Sequence, residues 1–288
     1  MKNTKHNSRV LSLMKSLTVQ ALRLLPNKVY FFCLRSYSLL FSNNNEKIVS
    51  IRQSDELWVM EFTYSPRELM HNSISALYFQ YPKRADRFLK GRAHALSTNY
   101  QKYCFPPLEV IENAYVIDVG ANIGEFALNF IEIPNIKVVA FEPDDLALKC
   151  LQLNDPDNII EKLSLIAGNR SGKVDFFVSS EHANSSTVLP NEFTSVQSKK
   201  SVKLLDYIST NLDPKKKIFI KVDAEGGEPE VLEGLLGIDP KRLSFMAVDC
   251  GPERNGQRTE DMVLKLLKRL DFRTIKLASA NILVGSNL

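Results

Sequence analysis

Val116-Ile117-Asp118-Val119-Gly120-Ala121-Asn122-Ile123-Gly124 reads as an apolar strand that ends in an acid and turns through two glycines toward a helix. The glycines permit a tight turn and a close approach of backbone to a ligand. A helix beginning at Ile123 turns unpaired N–H groups and a partial positive charge toward the loop, which suits a carboxylate. A lone Gly-x-x-x-Gly is weak evidence, and its position between strand and helix gives it meaning. Asn122 stands where a Gly-x-Gly-x-x-Gly loop has its second glycine, which argues against a nicotinamide enzyme.

The next apolar run, Val138 to Phe141, ends in Glu142-Pro143. An acid there, about twenty residues beyond the first glycine, hydrogen-bonds ribose hydroxyls in α/β nucleotide sites. Asp118, Gly120, Gly124 and Glu142 together describe an adenosine-binding half-sheet. Further strands are expected at 163–167, 217–223, 243–249 and 273–278 with 281–285, beside 114–119 and 137–142. Helices are expected at 123–131, 144–153, 229–236 and 259–270. Val174 to Val178 is an added strand followed by a polar loop. Such alternation implies an α/β, mainly parallel sheet with helices on both faces.

A third segment carries acids: Lys221-Val222-Asp223-Ala224-Glu225-Gly226-Gly227-Glu228-Pro229-Glu230. Acids that follow an apolar strand point into the crevice beyond the strand C-termini, where open α/β sheets bind ligands. Pro229 suits the first turn of a helix. Glu230 and Glu233 are sufficiently explained as partners of that helix's dipole.

These stretches resemble the FkbM family of S-adenosylmethionine-dependent methyltransferases, through VIDVGANIGEFAL, VVAFEPD, IKVDAEGGEPEVLEGL and AVDCGPER. A looser likeness runs from about residue 84 to 285 and takes in Lys90-Gly91-Arg92 and Asn184-Ser185-Ser186. The resemblance implies a Rossmann-like class I methyltransferase fold: a mostly parallel seven-stranded sheet with an antiparallel last strand, here with a mainly helical N-terminal extension. It implies S-adenosyl-L-methionine as cofactor and O-methylation of a sugar, glycan or other natural product. It places Asp118, Gly120, Ala121, Asn122 and Gly124 at the methionine end of the cofactor, Glu142 at its ribose and Asn169 on the adenine side. Asp249, Glu253 and Arg254 then border the acceptor. Many family members carry Glu near that strand end, where this chain has Asp249-Cys250.

Methyl transfer from a sulfonium is an in-line displacement, so the protein must align the acceptor and remove its proton. Asp223 or Glu225 is expected to be the base, within hydrogen-bond reach directly or through water. His182, in the polar loop, is an alternative. A Mg²⁺-assisted variant would use Asp223 and Asp249, although no third ligand is evident and no metal is assigned. A catalytically inactive binding module on the same fold is the competing class.

The 288 residues are 44% hydrophobic and 24% charged, enough for one large domain and an accessory region. Cys33, Cys104, Cys150 and Cys250 form neither a Cys-x-x-Cys pair nor a disulfide framework, which fits a reduced, cytoplasmic setting. Residues 1–45 hold seven Lys and Arg and no acid, leaving 30 basic against 33 acidic residues in the body, a balance of −3. That argues against nucleic acid as a partner of the body, while the family resemblance implies a small-molecule or glycan substrate. Val10, Leu13, Leu17, Ala21 and Leu24 recur at helical spacing up to Pro26, and Val29 to Phe41 follows. Neither stretch is long enough to span a bilayer, and no secretory cleavage site is evident. Two readings of this tail stay open: a basic amphipathic segment on an anionic membrane surface, or a helix packed on the domain. Ser rich and free of acids, it also admits a transit peptide. Organisation is expected as tail 1–45, accessory region 46–112 with a hairpin and then helices over 66–100, and cofactor domain 113–288. Lys83, Arg84, Arg87, Lys90 and Arg92, against Asp86 alone, read as a solvated helix face or a rim for an anionic substrate. Oligomeric state is left open.

Overall fold

The computed structural model describes residues 21–41, 46–64, 74–179, 185–190, 192–254 and 256–288. Most of the expected tail helix, residues 42–45, residues 66–73 of the helix expected over 66–100, His182 and Asn184 lie outside these residues. The chain divides into two compact units, Met1–Ala95 and Leu96–Leu288. Residues 96–112, placed by sequence with the accessory region, go with the second unit. There Tyr103, Phe105 and Ile111 pack with Phe126, Phe130 and Phe245 in one core cluster.

In the first unit, helix α1 (Asn27–Phe41) is followed by strands β1 (Glu46–Ser54), β2 (Leu57–Tyr64) and β3 (Ile74–Phe79). The strands form an antiparallel sheet in the order β1-β2-β3. Its interior joins Tyr30, Phe31 and Leu34 of α1 to Ile48, Val59, Met60, Phe62, Leu77 and Phe79. The Ser38 hydroxyl accepts from the Ile48 N–H at 3.1 Å, fixing helix to sheet. The helix expected over 66–100 is corrected within the described residues: Ile74–Phe79 is a strand, Pro82–Phe88 a 3₁₀ helix and Arg92–Lys102 (α2) an α-helix. Ile74–Phe79 pairs in register with β2, and its Ile74, Tyr78 and Phe79 suit a strand once that partner is present. The basic stretch is not simply a solvated face. Arg84 is buried, the Lys83 ammonium donates to the Leu25 carbonyl at 2.6 Å, and Asp86 accepts from Arg23.

The second unit continues with α3 (Leu108–Ile111), β4 (Tyr115–Val119), β5 (Lys137–Phe141), α4 (Asp145–Asn154), β6 (Glu161–Leu163), β7 (Ile166–Gly168), β8 (Gly172–Val178) and β9 (Ser195–Lys203). After these come α5 (Leu204–Asn211), β10 (Ile218–Val222), α6 (Glu228–Glu233), β11 (Leu243–Asp249), α7 (Glu260–Arg269), β12 (Thr274–Leu277) and β13 (Ile282–Ser286). The main sheet has seven strands in the order β12-β13-β11-β10-β4-β5-β6. β4, β5, β6, β10 and β11 run parallel, and β13 is antiparallel to both its neighbours. Alternate residues feed two cores, Ile117, Val139 and Ile220 into one and Val116, Val138 and Phe219 into the other. This is the Rossmann-like, class I methyltransferase topology with its antiparallel last strand. The order of the chain reverses between β4 and β10, so the ligand crevice belongs at the C-terminal ends of those two strands.

Several local expectations change. Residues 123–131 form turns and a short 3₁₀ helix, Ala127–Phe130, in place of an α-helix. Gly124 is left-handed at φ +94°, so no helix can start before it. The Asn129 side-chain amide donates to the Glu125 and Phe126 carbonyls, competing with helical bonds, and Pro134 disfavours helix at Ile133. The strand expected at 163–167 is divided: β6 joins the main sheet, while β7 pairs with β9 in a second sheet of order β7-β9-β8. β9 and α5 fall where a polar loop was expected. Among the described residues no helix is long and apolar enough to cross a membrane.

Candidate active site

β4 and β10 are adjacent and parallel, with Asp118 beside Lys221 and Val119 beside Val222 in register. The chain leaves both strands at the same level. Gly120 has φ +71°, and a Cβ built on it would lie 1.9 Å from the Asp223 carbonyl oxygen. Glycine is required there because the two loops touch backbone to backbone. Asn122 is also left-handed, at φ +50°, a conformation Asn tolerates better than most residues.

The glycine loop is tied to β5. The N–H groups of Gly120 and Ala121 donate to the Phe141 carbonyl at 3.0 and 3.1 Å. The Glu142 carboxylate accepts from the Asn122 N–H at 2.6 Å and the Asp144 N–H at 2.8 Å. Ile123 donates to the Asn122 side chain and Gly124 to the Ala121 carbonyl. The N–H groups of residues 120–124 are therefore all spent inside the loop. The expected helix N-terminus with unpaired donors is not formed, which follows from the absence of the α-helix. Burial pushes the Glu142 carboxyl up to about 7, and its two backbone donors offset part of that rise.

Lys221 is the charged side chain in a strand whose neighbours are all apolar, and it is buried. Its ammonium lies 3.0 Å from the fully buried Asp118 carboxylate and donates to the carbonyls of Gly120 at 2.7 Å and Val119 at 3.2 Å. One side chain on β10 thus neutralises the acid of β4 and grips the glycine loop. Burial raises the Asp118 carboxyl, and Lys221 opposes the rise.

Asp223 sits just past β10. It accepts from the Tyr103 hydroxyl and, at 3.5 Å, from the Lys102 ammonium. Lys102 reaches Asp249, the last residue of β11, at 2.7 Å and so bridges the two acids. Burial pushes the Asp223 carboxyl up, but Lys221, Lys102 and the Tyr103 hydroxyl outweigh it and hold it below the usual range. Glu225 behaves in the opposite way. Burial, with the carboxylates of Asp223, Glu253, Glu228 and Asp249, drives it up to about 9. Its backbone is left-handed at φ +50°, and the Ser186 hydroxyl donates to its carbonyl at 2.6 Å. Ser185 reaches Asp144 at 3.2 Å, so the polar loop is fastened beside both cofactor-side and acid-side segments.

Glu228 supports this acid loop from beneath. One carboxylate oxygen accepts from the N–H groups of Ala224 at 3.1 Å and Gly226 at 2.9 Å, and the other from the Thr259 hydroxyl at 3.1 Å. The structure therefore brings together Asp118, Gly120, Ala121, Asn122, Gly124, Glu142, Asp223, Glu225 and Asp249. Glu253 lies close by, its carboxylate 1.8 Å from where a Cβ on Gly251 would stand. Arg254 is instead paired with Glu230 on α6 at 2.5 Å. Asn169 is exposed and donates to Glu233 at 2.8 Å, a contact outside the cluster. Sequence reasoning missed Lys102, Tyr103, Lys221 and Glu228. A lysine inside the buried run Ile218-Phe219-Ile220-Lys221-Val222 was itself a signal, because a charge there requires a partner. Nothing local marks Lys102-Tyr103.

Strand order and site together define a class I methyltransferase fold with its polar residues gathered at the switch point. The FkbM methyltransferase domain model matches residues 118–274 of the 288. The chain belongs to the FkbM family of methyltransferases. No curated protein matches it in sequence. Solved structures similar to it include the N-terminal domain of human METTL16, at 13% identity, covering 88% of this chain and 93% of that one with a TM-score of 0.43. Another is the precorrin-6y C5,15-methyltransferase of Geobacter metallireducens GS-15, at 10% identity, covering 67% and 89% with a TM-score of 0.38.

Proposed function

We propose that this methyltransferase transfers a methyl group from S-adenosylmethionine to a hydroxyl of a sugar, glycan or related natural product, with Asp223 as the group that receives the hydroxyl proton. The observation that carries this reading is the state of Asp223: ionised, held by Lys102 and Tyr103, at the end of the strand next to the glycine loop. Family membership supports the cofactor. The residues also fit it. S-adenosylmethionine carries a sulfonium and an ammonium, and the cluster of Asp118, Asp223, Glu225, Glu228, Asp249 and Glu253 is met by Lys102 and Lys221, leaving an excess of carboxyl groups for a cationic ligand. The carboxylate crowding at Glu225 expresses that same excess.

Bound, the cofactor supplies an activated methyl group and a neutral thioether leaving group. Glu142, fixed by the Asn122 and Asp144 N–H groups, would accept from the ribose hydroxyls. Lys221 keeps Asp118 paired and the Gly120 carbonyl fixed. Lys102 and Tyr103 orient the Asp223 carboxylate. Glu225, protonated near neutrality, is a hydrogen-bond donor before it can be a base, so of the two expected bases Asp223 is preferred. Arg254, paired with Glu230, reaches an acceptor only by giving up that pair.

The test is calorimetry with S-adenosylmethionine, then radiolabelled methyl transfer to hydroxylated acceptors by the parent and by Asp223→Asn. Cofactor binding with a fall in kcat of about 10²–10⁴-fold in the variant is expected. No cofactor binding by the parent overturns the enzyme reading in favour of a binding module, and an undiminished variant removes Asp223 as base. Mg²⁺ assistance is the second reading, with Asp223 and Asp249 as ligands. Against it, the Lys102 ammonium already bridges those carboxylates. Activity that survives a chelator agrees with that bridge, whereas loss restored by Mg²⁺ reverses the preference.

A further inference from the structure

Residues 1–95 contain fifteen Lys and Arg against six Asp and Glu, a balance of +9, while residues 96–288 contain 22 against 27, a balance of −5. The net +4 of the whole chain conceals a strongly cationic first unit. Helix α1 gives that charge a surface. One side of it, Tyr30, Phe31, Leu34 and Ser38, is buried in the unit's own core. The other side turns Val29, Phe32 and Leu39 outward, with Phe32 at 72% and Leu39 at 53% exposure. Their spacings of three and seven place them on one helical face. Lys28 and Arg35 are exposed on the same face. Leu24, just before the helix, is 89% exposed. Asp86, the acid of the basic stretch 83–92, is spent on Arg23, which holds both its oxygens at 2.7 and 2.9 Å, and not on Lys28 or Arg35.

A helix at the surface of a water-soluble unit keeps its outward side polar. An outward side that alternates large apolar residues with Lys and Arg has the chemistry of a helix lying in a lipid interface. Nucleic acid would use the cations and leave Phe32 and Leu39 without a role. We propose that the outward face of α1 docks on an anionic lipid bilayer. Phe32 and Leu39 enter the boundary between headgroups and acyl chains, and Lys28 and Arg35 pair with lipid phosphates.

The experiment is sedimentation of the full chain with phosphatidylcholine vesicles, with and without roughly a third of phosphatidylglycerol. The expected result is at least about tenfold stronger partition onto the anionic vesicles, weakening as salt is raised. The double variant Phe32→Ser/Leu39→Ser should lose about tenfold in partition, since it removes the apolar anchors, while keeping the parent's thermal midpoint and methyl transfer. Three results overturn the proposal. One is a double variant that pellets like the parent. Another is a parent that ignores vesicles but binds a duplex or an RNA in a salt-dependent way, which assigns the charge to nucleic acid. The third is a parent that ignores vesicles and forms a dimer that the double variant abolishes, which assigns the face to a second copy.

Discussion

Asp223 and Glu225 lie two positions apart and titrate in opposite directions, because ammonium groups face one and carboxylates face the other. The Glu225 carboxyl ionises near 4.5 when exposed and near 9 in the folded chain. Between those values the folded state retains a proton that the unfolded state has lost. Its contribution to stability is thus intact below pH 4.5 and declines as pH climbs toward 9. Glu225→Gln should match the parent in acid and be the more stable protein at alkaline pH, by about 1 kcal/mol or roughly 2–4 °C in melting temperature. Equal melting curves for the two proteins at pH 9 would contradict the crowding described here. Lys221 makes the reverse case. Lys221→Met leaves Asp118 buried with no counter-charge, and urea unfolding should show a loss of about 3–5 kcal/mol; a loss below about 1 kcal/mol would mean the pair is not the support inferred here. The glycines and acids were legible because each follows an apolar strand within a few residues. Lys102 and Tyr103 were not, because their roles come from contacts 120 and more positions away in the chain.

At the scale of elements, the central strands β4, β10 and β11 were readable because both faces are buried and the runs are predominantly apolar. β9 was not, because Ser195–Lys203 is polar and almost without buried residues, and it is a strand through pairing with β8 and β7. The segment after Gly124 has apolar content suited to a helix. Its Phe126 and Phe130 instead enter an aromatic cluster with Tyr100 and Phe105 that a 3₁₀ turn satisfies. The loop between β4 and that turn carries the proposed cofactor contacts. Gly120→Ala combines φ +71° with a 1.9 Å approach to backbone. It should cost at least about 1–3 kcal/mol and abolish cofactor binding by calorimetry; binding at parental affinity would show that the loop opens without the glycine.

For the whole molecule, two compact units of opposite charge predict two responses in one calorimetric scan. Adenosylhomocysteine should raise the transition of residues 96–288, by about 2.7 kcal/mol of stability at a hundred times its dissociation constant. The transition of residues 1–95 should stay where it is. A single transition shifted as a whole would mean that the two unfold as one body. The unit boundary was hard to read in advance because it falls within α2, whose composition does not change at Ala95.

Lys221, buried near the end of β10, also serves as a natural reporter. An acylating reagent can reach the Lys102 amine, whose side chain is 45% exposed, while that of Lys221 is 4% exposed and clasped by two carbonyls and a carboxylate. In the intact protein Lys221 reacts only when β4 and β10 part. The rate at which its mass tag accumulates, set against that of Lys102 in the same peptide digest, therefore clocks the breathing of the sheet between β4 and β10.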